Sequence, residues 1–261
     1  EIKLFILKIN GSSLKKFVLI FFFTLPFMFL EYKWFKPFTK MLLLKNIHKS
    51  FYSSNFKFKN LFIHQSQKND VLKGINLTLD KRQILGLTGS NGSGKSTLLR
   101  IISGLIEKDR GEIHFENFNS QNVALISSNE RSFYWRLTTY QNLIFFGSIY
   151  NLSKKEIDFK LENLKEILDI EDILEKPIMI LSSGQRKKAM LARAFLKNPK
   201  LILCDEFLTN LDEESQANSK TFLKNYIEEK KASIIWVSHS IEEINNFCDR
   251  NIELMEGVIS H

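Results

Sequence analysis

The sequence predicts an α/β domain from residue 41 onwards, because short apolar runs alternate with longer amphipathic ones. The first observation is the run Ile84–Thr88, which is followed at once by a glycine-rich loop and a helical pattern over residues 95–105. The second is a pair of apolar runs, residues 201–204 and Ser233–Val237, each of which ends in polar side chains. The third is an amphipathic helix whose apolar residues recur at steps of four, three and four, namely Ile157, Leu161, Leu164 and Leu168.

Two further strands are predicted nearer the start of the domain, over residues 42–47 and 71–79. The polar stretch between them, residues 53–70, is interpreted as an insertion loop. A later helix is predicted over residues 185–196.

The net charge of +8 is concentrated at one end of the chain. Residues 1–40 carry seven lysines and two glutamates, or +5, which leaves 30 basic and 27 acidic groups, or +3, for residues 41–261. A nucleic-acid-binding face on the main domain is therefore not expected. The two cysteines, Cys204 and Cys248, are too few for a disulfide framework, which favours a reducing, intracellular setting.

Residues 1–40 are interpreted as a hydrophobic, basic N-terminal extension outside the folded domain, which spans residues 41–261. The apolar run over residues 17–30 has fourteen residues, whereas a membrane-spanning helix needs about 20, and Pro26 interrupts it. No small-residue cleavage site of a signal peptide follows it. The chain opens at Glu1 and Met41 directly precedes a predicted strand, which favours an upstream extension; a membrane-associating tail is the alternative.

The glycine-rich loop fits the phosphate-binding pattern G-x-x-x-x-G-K-S. Phosphate oxygens need closely spaced backbone N–H groups that side chains would obstruct, and glycine meets that need. Lys95 is expected to bind the β- and γ-phosphates, and Ser96 to bind Mg²⁺. The predicted nucleotide-binding residues are Gly89, Ser90, Asn91, Gly92, Ser93, Gly94, Lys95, Ser96 and Thr97.

Motifs in the second half of the chain indicate which class of nucleotide-binding protein the sequence resembles. Residues 181–185, LSSGQ, resemble the LSGGQ signature motif of the ATP-binding cassette (ABC) family, with Ser183 in place of a glycine. Residues 201–206 are similar to that family's Walker B strand and its glutamate, and residues 209–212 to its D-loop. His239 stands where the family's switch histidine is expected, and all these motifs occur in the family's order.

The resemblance implies a P-loop NTPase core of ABC ATPase type, with an antiparallel β subdomain and a helical subdomain over about residues 134–176. Asp205 would hold Mg²⁺, and Glu206, next along the strand, would polarise the attacking water. His239 would donate to the γ-phosphate or to Glu206.

The resemblance further implies that two cassettes close head to tail around two ATP molecules. Ser182, Ser183, Gly184, Gln185 and Asp212 would complete the nucleotide site across that dimer. The expected partners are a second nucleotide-binding domain and a membrane permease on a separate chain, with the cassette on the cytoplasmic face of the membrane.

The sequence departs from the family pattern at two positions. Asn129 is the nearest equivalent of the Q-loop glutamine and is predicted as a metal ligand through its shorter amide. Phe207 replaces the proline usual after the Walker B glutamate, which should alter the following turn. Phe51 is the favoured residue for adenine stacking, with Tyr52 as the alternative.

The function expected from these motifs is ATP hydrolysis that powers transport. Residues 129–146 resemble cassettes of ABC-2-type exporters, which favours export. Two alternatives remain: a soluble ABC ATPase acting on nucleic acid or ribosomes, and a regulatory cassette that binds ATP with weak or no turnover.

Overall fold

A computed structural model of the chain describes residues 40–54, 66–127, 132–209 and 211–260. A six-stranded sheet is built from β3 (Ile84–Thr88), β5 (Val123–Ser127), β6 (Leu201–Asp205), β7 (Ser233–Val237), β8 (Arg250–Met255) and β9 (Val258–Ser260). Its order is β5-β6-β7-β3-β8-β9, and every neighbouring pair is parallel except β8 with β9. The inner strands are short apolar runs because both their faces are covered. β3 and β7 have the predicted bounds.

A second sheet is antiparallel, with the order β2-β1-β4, and consists of β1 (Lys40–Ser54), β2 (Ser66–Asp80) and β4 (Arg110–Phe115). The predicted insertion loop over residues 53–70 is wrong at both ends, because β1 runs to Ser54 and β2 begins at Ser66. Polar residues extend this ladder: the Ser50 hydroxyl donates to Asp70 at 2.7 Å, and Tyr52 pairs with Lys68.

The helices are α1 (Lys95–Ile102), α2 (Thr139–Ile149), α3 (Lys154–Leu168), α4 (Ser183–Phe195), α5 (Glu213–Lys230) and α6 (Ile241–Phe247). Short 3₁₀ turns occupy Ser120–Asn122, Glu171–Ile173 and Ile178–Ile180. α1 ends before the predicted residue 105, since Gly104 has a φ of +78° and leaves the helical region. α3 is the predicted amphipathic helix; Ile157, Leu161 and Leu168 are buried and Leu164 packs beside them.

The six-stranded sheet separates two hydrophobic clusters, which follows from the alternation of side chains along its strands. On β7, Ile234 and Trp236 belong to the cluster formed with α2 to α6, whereas Ile235 and Val237 belong to the cluster formed with α1 and the antiparallel sheet. The sheet therefore carries a phosphate-loop layer on one face and a helical layer on the other.

The N-terminal residues 1–39, and with them most of the predicted extension, lie outside the described residues. β1 begins at Lys40, one residue before the predicted domain start. None of the helices in the described part of the chain combines the length and apolar character that crossing a bilayer requires.

Candidate functional site

The candidate site lies at the carboxyl edge of the six-stranded sheet, where three strands end side by side. β3 leads into the glycine loop, β7 into His239, and β6 into Asp205 and Glu206. β7 lies between the other two, so sheet order brings these segments to one edge. Ligands of open α/β sheets bind outside the carboxyl ends of the strands.

The glycine loop is shaped as a cradle with one closed side and one open side. Gly89 has a φ of +140°, and a Cβ there would lie 2.2 Å from the backbone oxygen of Leu254, so the chain packs tightly behind it. Gly92 has a φ of +81°, and a Cβ there would meet nothing within 4 Å. The open side is therefore the side on which a ligand can approach the backbone.

Lys95 is buried and folds back over the loop. Its Nζ donates to the backbone oxygens of Gly89 at 2.7 Å and Ser90 at 2.9 Å. Ser90 and Asn91 are exposed, whereas Ser93 is buried and its hydroxyl has no hydrogen-bond partner among the described residues. The N-terminus of α1, at Gly94, also has no side-chain cap, so the first turn keeps its N–H groups for an anion.

These features fit a polyphosphate: an uncapped helix end, a buried hydroxyl without a partner and a lysine cation converge on one open loop.

Ser96 and Thr97 are half-buried in the first turn of α1. The Ser96 hydroxyl and the Asp205 carboxylate carry oxygen atoms that could bind a metal ion, and neither forms a hydrogen bond or ion pair with other described residues. Across the described ranges no three His, Cys, Asp or Glu side chains cluster as a metal cage. One hydroxyl and one carboxylate, from Ser96 and Asp205, suit Mg²⁺, which binds through one or two carboxylates and keeps waters and phosphates as its other ligands.

Glu206 and His239 are in direct contact. His239 Nε2 lies 2.6 Å from Glu206 Oε1, and the side chains are 48% and 34% exposed, respectively. The prediction that Glu206 continues the strand is wrong, because β6 ends at Asp205 and Glu206 has a φ of +52°. This turn carries the carboxylate out of the strand and towards the end of β7.

Thr209, the first residue of the predicted D-loop, stabilises the turn after Glu206. Its hydroxyl donates to the Glu206 backbone oxygen at 2.7 Å, and its N–H donates to the same oxygen at 3.4 Å. A cavity of about 390 Å³ adjoins the turn and is lined by Glu206, Thr209, Ser238 and His239, among others. The Glu206 and His239 side chains thus border a solvent-accessible space.

The signature residues form a capping box at the start of α4. The Gln185 N–H donates to the Ser182 hydroxyl oxygen at 3.2 Å, and the Ser182 N–H donates to the Gln185 side chain at 3.0 Å. α4 therefore starts at Ser183, two residues before the predicted start. The hydroxyl proton of Ser182 is not used in this box, so it stays available to a ligand oxygen. Ser183 and Gly184 are half-buried in the first turn.

Asp212 caps α5, since its carboxylate accepts the Ser215 N–H at 2.8 Å. That hydrogen bond lowers the pKa of Asp212 below its usual range. Phe207 is fully buried, with Lys187 Nζ 5.6 Å from its ring centroid, so it is a core residue of the turn.

The predicted adenine-stacking residues lie on the antiparallel sheet. Phe51 is 41% exposed with Lys49 Nζ 5.5 Å from its ring centroid, and Tyr52 is 70% exposed. Asn129, the predicted metal ligand, lies outside the described residues.

Glu243, at the start of α6, was not singled out by the sequence-based prediction. It accepts a hydrogen bond from the Ser238 hydroxyl, beside His239. The only sequence signal was an acidic pair, Glu242 and Glu243, in the first turn of a helix, and that pair is equally typical of an ordinary helix start.

A family model described as "ABC transporter" matches residues 72–209, more than half of the chain. The ABC transporter ATP-binding protein NatA of Bacillus subtilis is 32% identical over 196 residues, covering 72% of this chain and 79% of NatA. The methionine import ATP-binding protein MetN of Clostridium acetobutylicum is 30% identical over 203 residues, covering 73% of this chain and 63% of MetN.

Two solved structures share the fold at 23% identity. The ATP-binding cassette MJ0796, described as a dimer in a post-hydrolysis state bound to ADP and Pi, has a TM-score of 0.71 and covers 85% of this chain and 97% of its own. CbiO1 of Clostridium perfringens, part of the cbiONQ transporter complex, has a TM-score of 0.69, with coverages of 85% and 88%. The predicted family and fold are confirmed, and the chain belongs to the ABC transporter family as an ATP-binding subunit of ABC ATPase type.

Proposed function

We propose that this chain binds MgATP at the glycine loop and hydrolyses it to drive export through a membrane permease on a separate chain. The observation that carries the hydrolytic part is the 2.6 Å contact between Glu206 and His239 at the same sheet edge from which the glycine loop begins. A carboxylate and an imidazole held together beside a phosphate cradle suit activation of a water next to a phosphate.

The chain's residues divide the work of binding. The N–H groups of residues 89–94 and the first turn of α1 hold the phosphates, and Lys95 shifts from the backbone oxygens of Gly89 and Ser90 onto the β- and γ-phosphates. Ser96 and Asp205 would hold Mg²⁺, with Asn129 as a further proposed ligand. Bound Mg²⁺ offsets negative charge on the phosphates. Phe51, or alternatively Tyr52, would stack on the adenine.

Hydrolysis uses Glu206 as the general base. Its carboxylate takes a proton from the water that attacks the γ-phosphorus, while the bond from the γ-phosphorus to the β–γ bridging oxygen breaks and ADP leaves. His239 orients the carboxylate and donates a hydrogen bond to the γ-phosphate. The contact with His239 holds Glu206 at the end of β6 rather than free in solvent.

A second cassette is proposed to complete the site. The unused hydroxyl proton of Ser182 and the N–H groups at the start of α4 can meet the phosphates of a neighbouring copy, with Ser183, Gly184, Gln185 and Asp212 beside them. The chain shares its fold with a cassette that is described as a dimer, which supports pairing with a second cassette. ATP would then favour the closed dimer because it binds that state more tightly.

Export and the cytoplasmic face of a membrane are proposed on narrower grounds. Residues 129–146 resemble exporter cassettes, whereas relatives of about 30% identity include a methionine import protein. The chain spans 79% of NatA but 63% of MetN. The near-neutral charge of residues 41–261 supports a protein partner rather than a nucleic acid.

The proposal predicts that Glu206→Gln lowers kcat for ATP by about 100-fold or more, because it removes the general base. ATP affinity is expected to stay within about threefold, because the glycine loop is unchanged. Steady-state phosphate release with Mg²⁺ and the permease measures the first quantity, and equilibrium titration with ATP the second.

Glu228→Gln is the matched control, since Glu228 is an exposed glutamate on α5 whose ion pair with Arg82 spans 3.9 Å. Its kcat should equal that of the wild type. A wild type no faster than Glu206→Gln, even with the permease present, would contradict hydrolysis and favour a regulatory cassette.

A further inference from the structure

The two residues on either side of His239 are both hydrogen-bonded to one residue of α6, Glu243. The Ser238 hydroxyl donates to Glu243 Oε2, and the Ser240 N–H donates to Ser238 Oγ at 3.1 Å. The Glu243 N–H in turn donates to Ser240 Oγ at 3.1 Å. The hydrogen bonds of both residues flanking His239 therefore converge on Glu243.

The second carboxylate oxygen of Glu243 faces a cation on another helix. Lys220 Nζ, on α5, lies 3.1 Å from Glu243 Oε1, and the Glu243 side chain is only 16% exposed. Oε1 is buried and accepts no hydrogen bond from the described residues, so the charge of Lys220 is its compensation. Lys220 Nζ also lies 5.8 Å from the ring centroid of Phe247, at the end of α6.

The same loop meets the turn after β6 from the other side. The Glu206 N–H donates to the Val237 backbone oxygen at 3.1 Å, two residues before His239. The chain at residues 237–240 is thus held by Glu206 at one end and by Glu243 at the other, and His239 lies between them. The position of the imidazole depends on both attachments, because a loop tethered at one end would sample other conformations.

We propose that Glu243 and Lys220 are positioning residues that hold His239 against Glu206. This inference rests on the proposed function, in which His239 takes part in ATP hydrolysis. The pair also joins α5, whose first turn follows the proposed dimer-facing residue Asp212, to the loop of His239. A displacement of α5 would therefore be transmitted to the imidazole through one ion pair and one hydrogen bond.

A double-mutant cycle separates positioning from a general structural role. Wild type, Glu243→Gln, His239→Ala and the double variant are compared in steady-state ATP hydrolysis with Mg²⁺ and the permease. Glu243→Gln is expected to lower kcat by about tenfold with the KM for ATP within about twofold, since only the reacting geometry changes. In the His239→Ala background the same substitution should lower kcat by less than about twofold, because the group that it positions is gone.

Two comparisons keep the result interpretable. Glu242→Gln removes the same charge from the same turn of α6, and Glu242 is exposed, so its kcat should match that of the wild type. If Glu243→Gln does not fold, as judged by its thermal unfolding midpoint, the cycle is run with Lys220→Met. That substitution keeps the Glu243 carboxylate and replaces the lysine with an unbranched, uncharged side chain that is one atom shorter.

The inference is overturned if Glu243→Gln has the kcat of the wild type, or if it lowers kcat by the same factor in both backgrounds. If either result is accompanied by a large loss of kcat in His239→Ala, the proposed role of His239 still stands. A His239→Ala variant with the kcat of the wild type would instead contradict that role, and the positioning that depends on it.

Discussion

At the scale of single residues, two glycines of the phosphate-binding loop are required for different reasons: Gly89 for packing and Gly92 for access of the ligand to the backbone. Gly89 has backbone directly behind it, whereas Gly92 faces open space. Both have a positive φ, at +140° and +81° respectively, so an added methyl strains the chain at either position. Only at Gly89 does the methyl also collide with a fixed atom.

We therefore predict that alanine at Gly89 mainly lowers stability, whereas alanine at Gly92 mainly weakens ATP binding. Gly89→Ala should lower the free energy of unfolding by about 3 kcal/mol or more, because backbone must move. Gly92→Ala should cost about 1 kcal/mol, the usual penalty of a left-handed conformation, but should weaken ATP binding about tenfold. Urea unfolding and equilibrium ATP titration measure the two quantities. A loss of stability at Gly92 as large as that at Gly89 would contradict the open side of the loop.

At the scale of elements, α3 and α4 both begin with a serine capping box, and only the box on α4 has a proposed role in binding. The Ser153 hydroxyl also donates to Glu156 at 2.6 Å, whereas the Ser182 hydroxyl donates to none of the described residues. Ser153 and Glu156 form a capping box on α3, as Ser182 and Gln185 do on α4. In each, the serine oxygen accepts an N–H that the helix leaves unpaired, which is worth about 1 kcal/mol. Ser153 thus provides an internal reference for Ser182.

Ser153→Ala and Ser182→Ala should each lower the free energy of unfolding by about 1 kcal/mol. Only Ser182→Ala should also impair the ATP-dependent dimer, because its hydroxyl is proposed to meet a second copy's phosphates. Both are tested in the Glu206→Gln background, where slow hydrolysis preserves ATP, by urea unfolding and by gel filtration with MgATP. Equal dimerisation of the two variants would count against the head-to-tail pair.

At the scale of the whole molecule, both thiols report on the packing of the helical layer. Cys204 is fully buried on β6, and burial raises its pKa well above its usual range. Burial also raises the pKa of Cys248 to about 12. Because each thiol stays protonated in the folded state, the unfolded state binds fewer protons above about pH 9, so stability falls as pH rises through that range.

We predict that a disulfide reagent at pH 8 modifies both thiols far more slowly in the folded protein than in urea. In a Cys248→Ala variant, the remaining Cys204 should react at the rate of unfolding, and MgATP should slow that reaction by stabilising the folded state. Rapid labelling of Cys204 in the absence of urea would show that the helical layer does not cover β6.

How far the sequence predicts this fold depends on how local each feature is. β3, β7 and the start of α1 match their predicted positions, because a short apolar run, a glycine loop and a helix start are written in adjacent residues. The antiparallel ladder of β1 and β2 was underestimated, since its polar ends are strands only through pairing with each other. The left-handed turn at Glu206 had no local signal, and the acidic pair at Glu242 and Glu243 did not distinguish the hydrogen bond from Ser238 to Glu243 from an ordinary helix start.

The sequence by itself determined the phosphate loop, the order of the motifs and hence the family, because spacing along the chain encodes these directly. Only the tertiary structure decided that Glu206 and His239 touch, and that the bonds of Ser238 and Ser240 close on Glu243. The physical reason is that parallel strands distant in sequence end at one edge of a sheet only after it has assembled in the order β6-β7-β3. Contacts at that edge are set by the turn at Glu206 and by packing between α5 and α6, and neither is encoded in a run of neighbouring residues.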